Sequence, residues 1–221
     1  MKPNAFMEKL VTVFSWMAKL AYVHFLWMLF SAAGLIIFGF FPATAALMTI
    51  CKRWLDGEES VPIFGVFWAS YRSSFFTSNQ IGLVYMAAAL VLYVNFLVIQ
   101  ENGAGLPIIA AFYLAVFFLV ITGTHLLPLY IAGKGSFLHV WKTAFIMSIV
   151  NLPISIAVLV SQSAIYYLLF SYPSAALFFL SSTLAIIQLW LVQHSFNRVE
   201  RKAKALRAKK SAPAVQETYT A

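Results

Sequence analysis

Five polar side chains stand in otherwise apolar surroundings and could do chemistry there: His24, Asn95, His125, Asn151 and Gln162. Imidazole and amide groups in such surroundings can hold a neutral solute, carry a proton, or simply hydrogen-bond a neighbouring helix. Asn151, next but one to Pro153 and ahead of Ser155, fits a helix break that lines a cavity as well as it fits ordinary interhelical bonding. Ser155, Ser161, Ser163 and Gln188 add to the same set, whereas His139 and His194 fall near the ends of apolar stretches and are expected to be solvated.

Chemistry that needs charge has less to work with. The four acidic residues between the first and third apolar runs, Asp56, Glu58, Glu59 and Glu101, all lie in connecting segments, and ion-coupled transport usually places a carboxylate at membrane depth. His125 has neither an HExxH partner nor a serine elbow nearby, and Gly133-Lys134-Gly135-Ser136 lacks phosphate-loop spacing. The single cysteine, Cys51, rules out an intrachain disulfide and reads as a small apolar residue or a lone thiol. No catalytic set, cofactor motif or metal spacing emerges, so the expectation is a protein that is not an enzyme and carries no cofactor.

The elements that must position these groups follow from composition. The chain has 221 residues, 62% hydrophobic and only 10% charged, with 21 Phe, 10 Tyr and 6 Trp. Uncharged runs cover Leu20–Cys51, Ser73–Gln100, Asn102–Gly133 and Thr143–Asn197, and about 20 apolar residues suffice for one crossing. The runs do not alternate with period two, so helices rather than a membrane barrel are expected. Ser171-Tyr172-Pro173-Ser174 divides the last run into two helices, the proline suiting a first turn. Ala43-Thr44-Ala45 imitates a signal-peptide cleavage site, but the apolar region before it is longer than a signal core.

Leu20–Cys51, at 32 residues, is long for one crossing and short for two. With one crossing there are five spans, and the better orientation leaves Lys2, Lys9 and Lys19 outside. With a turn at Gly39–Pro42, Pro42 opening a short second helix, all 15 basic residues share the cytoplasmic side, which fits the charge rule better. The fold class is therefore all-α: a polytopic membrane bundle of six embedded helices, the second one short, or of five spans, with an amphipathic amino-terminal helix over residues 4–19. The helices are expected at about 17–38, 42–54, 79–99, 106–131, 143–169 and 174–196, in one transmembrane domain over residues 1–197. Residues 61–76 are expected to form a separate cytoplasmic aromatic segment. An echo between Phe67-Trp68-Ala69-Ser70 and Val140-Trp141-Lys142-Thr143 is too short to establish an internal repeat.

A basic tail follows over residues 198–221. Arg198, Arg201, Lys202, Lys204, Arg207, Lys209 and Lys210, against one Glu, give +6 over a stretch rich in helix formers. Such a cluster is attracted to anionic lipid by about 1 kcal/mol per basic residue, and it is expected to hold the carboxyl terminus in the cytoplasm. No base-reading module accompanies it, so nucleic acid is not an expected partner. The last residues, 211–221, are expected to be disordered.

Residues 20–75 resemble the YesL-like family of bacterial membrane proteins, long catalogued as a domain of unknown function. The pattern is an aromatic span, then Gly39, Pro42, Ala43, Ala46 and Leu47, a basic-Trp pair at Arg53 and Trp54, and then Pro62, Phe64, Phe67 and Trp68. Where the family pattern has an asparagine after Ala-Tyr-Val, this chain has His24. The resemblance implies no catalytic residues. It implies an accessory component in the bacterial plasma membrane, associated with ABC importers for oligosaccharides and their permease subunits. The alternative reading from the residues is a small transporter or channel subunit that uses the intramembrane polar groups.

Overall fold

A computed structural model describes residues 5–133 and 136–211. Seven helices follow one another: α1 (Ala5–Ala33), α2 (Ile37–Leu55), α3 (Ile63–Asn102), α4 (Leu106–Ile131), α5 (Phe137–Val150), α6 (Leu152–Ser171) and α7 (Pro173–Ser211). Among the described residues there is no strand. The all-α expectation holds, and α1, α3, α4, α6 and α7 are each long and apolar enough to cross a membrane. Each exposes large apolar side chains in the way lipid permits and water does not, including Phe25, Leu90, Leu114, Val160 and Phe178.

The expected helix at 106–131 is found with those ends, and the break at Tyr172 falls where the proline placed it. Other boundaries differ. The amphipathic segment and the first span form one helix, α1, because nothing in Trp16–Lys19 breaks helical geometry; position 4 lies outside the described residues. The chain does turn back within Leu20–Cys51, but at Gly34–Ile36 rather than Gly39–Pro42. Leu35 and Ile36 take positive φ of 58° and 61°, and the turn is closed by Gly34 N–H to Phe30 O at 3.1 Å and Ile36 N–H to Ser31 O at 2.9 Å. The second helix therefore starts at Ile37, and Pro42 lies inside it.

The aromatic segment 61–76 and the helix at 79–99 are likewise one element. α3 runs 40 residues, about 60 Å, roughly twice a hydrocarbon core. Its buried residues all fall between Phe67 and Gly82, and beyond them it shows apolar side chains outward. The helix expected at 143–169 is instead two, α5 and α6, separated at Asn151 with φ −114° and ψ 41°. The helix expected to end at 196 continues into the basic stretch as α7, and the end of the expected disordered segment, 212–221, lies outside the described residues.

Two packed cores form. One gathers Val23 and Leu26 of α1, most of α2, Phe67 and Tyr71 of α3, and Ala185 and Leu189 of α7. The other gathers Ile81 of α3, Leu126 and Leu129 of α4, Val140 and Ala144 of α5, Val158 of α6, and Val192 and Phe196 of α7. α3 and α7 enter both and so join them. At the centre of the first core α2 touches α1, α3, α4 and α7. Its Ala43, Ala45 and Ala46 are wholly buried, as expected where apolar solvent gives helices little reason to associate except close backbone approach.

Candidate functional site: the α2 signature and the polar constellation

The signature residues of α2 have separate physical jobs. Gly39 faces the end of α1, where an added Cβ would lie on Ser31 O and 2.7 Å from Phe30 O. Gly34 meets Gly39 in the same way, so the hairpin closes backbone to backbone. Pro42, lacking an N–H, leaves the carbonyl of Phe38 without its usual helical donor. Asn79 of α3 supplies one: its Nδ2 donates to Phe38 O at 2.9 Å, and also to Phe75 O at 2.9 Å. Ala43, Ala46 and Leu47 are fully enclosed. Replacing Asn79 by Leu should cost about 1–3 kcal/mol, because the Phe38 carbonyl, in apolar surroundings and without a helical donor, loses its partner. In a Pro42→Ala background, where residue 42 can donate to Phe38 O itself, the cost should fall; equal losses of detergent-solubilised stability in both backgrounds would refute the pairing.

At the far end of α2 the basic-Trp pair divides. Arg53 is exposed and reaches Glu58 at 3.6 Å, while Trp54 is buried edge-on against Trp16, with ring centroids 5.5 Å apart. Lys52 pairs with Asp56 at 2.6 Å, and Asp56 also accepts from Gln193 of α7. Lys19 donates to Glu59 O, so the α2–α3 loop is tied to both α1 and α7. Pro62 precedes the first residue of α3 with φ −71°. Phe67 is fully buried, and Tyr71 donates to Phe30 O at 3.3 Å. The aromatic face is thus split: Phe64, Trp68 and Phe76 remain 53%, 46% and 79% exposed. Trp68 is held by parallel stacking on Tyr71 and by Phe30, whose ring is 5.6 Å away.

The five polar candidates do not meet in one place. His24 of α1 bonds Ser181 of α7 at 2.5 Å and stacks on Trp27. Asn95 is exposed on α3 and donates only to Val91 O of its own helix. His125 is fully buried and bonds Ser155 of α6 at 2.9 Å through Nε2. The Ser155 hydroxyl lies 3.1 Å from Ser148 O and 3.4 Å from Asn151 O, so His125 sits beside the α5–α6 break. Asn151 marks that break and turns its own side chain back to Met147 O at 3.4 Å. Gln162 donates to Gln188 of α7 at 3.0 Å, and Gln188 donates to Thr124 O at 2.7 Å. His139 and His194 are exposed, as expected.

Sequence reasoning left out Asn79 and Ser181. Asn79 carried the clearest signal, an amide at the start of an apolar run, though only its distance from Pro42 in the fold gives it meaning. The described residues bring no three His, Cys, Asp or Glu side chains together as a metal site. Of the basic tail, Lys204 is exposed, and the side chains of Arg198, Arg201, Lys202, Arg207, Lys209 and Lys210 lie outside the described residues.

Comparison with known proteins agrees with the part of the chain that carries the signature. Residues 20–96 match the model of a family described as a protein of unknown function, DUF624. Across 202 residues, 91% of either chain, the sequence is 26% identical to the uncharacterized protein YteU of Bacillus subtilis (strain 168). It is 26% identical to YesV of the same organism over 184 residues, 82% of this chain and 88% of that one. To YesL it is 41% identical over 81 residues, 37% of this chain and 39% of that one. No solved structure matches.

Proposed function

We propose, from the premise that this is a helical membrane protein of the YesL-like family, that it serves as a non-enzymatic accessory of an oligosaccharide ABC importer in the bacterial plasma membrane. Its partner is a permease subunit, and the contact is made by the amino-terminal half of α3. The observation that carries this reading is the exposed pair Phe64 and Trp68 on a helix too long for one crossing. Exposed aromatics on a rigid, packed element are the residue type that dominates protein interfaces. The carboxyl terminus lies in the cytoplasm, where the basic tail meets anionic lipid.

Dispersal of the polar groups favours this reading over a small transporter or channel subunit. A solute path built from His24, Asn95, His125, Asn151 and Gln162 would need them to face one lumen, and they bond in separate places. The test is purification from native membranes in mild detergent, with identification of the proteins that accompany it. A permease should co-purify, and Phe64→Ser with Trp68→Ser should lower its recovery about tenfold or more, since interface aromatics commonly contribute at least 2 kcal/mol. Absence of any permease, or undiminished recovery with the double variant, would overturn the proposal.

A further inference from the structure

A partly open cavity of about 190 Å³ lies between α1, α2, α6 and α7. It is far larger than a single water needs. Trp27, Phe40 and Tyr166 furnish aromatic walls, and the polar lining comes from Thr44, Ser181, Gln162 and Gln188, with no charged side chain among the lining residues.

The orientation of the two amides is dictated from one end. Thr124 O can only accept, so Gln188 turns its NH2 to it, at 2.7 Å. That places Gln188 Oε1 toward Gln162, whose NH2 must then donate, at 3.0 Å. Gln162 Oε1 is left as an acceptor at the cavity wall with no hydrogen-bond partner among the described residues. Trp27 is equally fixed: its Nε1–H donates to Thr44 Oγ1 at 3.0 Å, and the Thr44 hydroxyl donates on to Phe40 O at 2.7 Å. Ser181, on the α7 side of the wall, is held by its bond to His24 of α1.

We propose that this cavity binds a neutral, polyhydroxylated group, with a hydroxyl donating to Gln162 Oε1 and an apolar face laid against Trp27 and Phe40. An ion finds no counter-charge there, and a wholly apolar occupant would leave the amide acceptor unpaired. The cavity is smaller than a drug-sized site, which suits a headgroup or one small ring. This site is independent of the α3 contact and stands whether or not a permease is bound there.

Such a group can belong to a membrane lipid or to a free solute, and two probes with the same headgroup separate the sources. The protein is purified in lauryl dimethylamine oxide, which brings no hydroxylated headgroup, and titrated with methyl glucoside while tryptophan fluorescence is followed. In parallel it is reconstituted in phosphatidylcholine vesicles with monoglucosyl diacylglycerol, and retained glycolipid is counted by native mass spectrometry. Saturable binding of methyl glucoside identifies a free solute, and one retained glycolipid per chain identifies a lipid; either supports the proposal. Gln162→Leu should weaken whichever binding is seen by about tenfold, the loss expected for one hydrogen bond to a buried site, while Asn95→Leu leaves it unchanged. If Gln162→Leu does not fold, Phe40→Leu, which removes one of the two rings the apolar face is laid against, takes its place. Failure of both probes to bind, or binding indifferent to these variants, overturns it.

Discussion

Gly39→Ala should be among the most damaging single substitutions in the chain, although it adds one methyl group. The new Cβ would meet the backbone of α1 at Ser31 and Phe30, and Gly34 is pressed against the same place from the other side. Backbone cannot rotate away as a flexible side chain can, so α1 and α2 must separate. Overpacking of a close-packed interior costs about 1–3 kcal/mol, occasionally more, and here the two turn residues Leu35 and Ile36 already hold left-handed backbone. The loss is read as a lowered midpoint of unfolding in detergent. Gly65→Ala is the control: nothing lies within 4 Å of an added Cβ there, in the first turn of α3, and alanine is the better helix former. A Gly39→Ala protein as stable as the Gly65→Ala protein would show that the hairpin does not close as described.

That hairpin also shows what the sequence could and could not tell. Charge distribution over Lys2, Lys9, Lys19 and the later basic residues called for a reversal between Leu20 and Cys51, and the reversal is there. Its place was misread because glycine and proline are the usual marks of a turn, and Gly39 and Pro42 supply both. The fold uses them otherwise, Gly39 for close approach and Pro42 to free a carbonyl for Asn79, while the turn falls on Leu35 and Ile36. No local preference of leucine or isoleucine announces positive φ; it is imposed by the packing of α1 on α2. The merger of the aromatic segment with the following span into α3 was missed for a related reason. Ser70, Ser73, Ser74 and Ser78 look like a break, yet each returns its hydroxyl toward a carbonyl of its own helix or, for Ser70, toward Thr49.

Phe67→Ala should be comparably severe for the opposite reason, a void rather than a collision. The ring is wholly enclosed in the first core and lies 5.2 Å from Phe30, the aromatic hub of the α1–α3 contact. Truncating a buried Phe costs about 3–5 kcal/mol in water-soluble cores. In apolar solvent the transfer part shrinks, since an exposed ring loses little there, while the lost packing remains. Phe76→Ala, on the same helix but 79% exposed, should change stability by no more than about 0.5 kcal/mol. Measured side by side in detergent, equal effects at the two positions would mean that α3 does not seat Phe67 against α1 and α2.

The polar constellation was legible as a set of residues but not as an arrangement. His24, His125 and Gln162 each reach a partner at least 26 positions away in the chain, and period and composition carry no information about such pairings. Asn95 and Asn151 instead bond within one turn of their own helices, so equal-looking amides in the sequence have unequal standing in the fold. Asn151 differs from Asn95 in having a proline two residues on, and that proline is what makes its helix stop.

The unbroken length of α3 makes it a strut shared by the two cores. Phe67 and Tyr71 seat it in the first, Ile81 in the second, and Asn79 between them ties it to α2. The roughly 20 residues beyond Gly82, about 30 Å of helix, carry no buried side chain, so strain on that end can be taken up there while Phe64 and Trp68 stay fixed at the seated end.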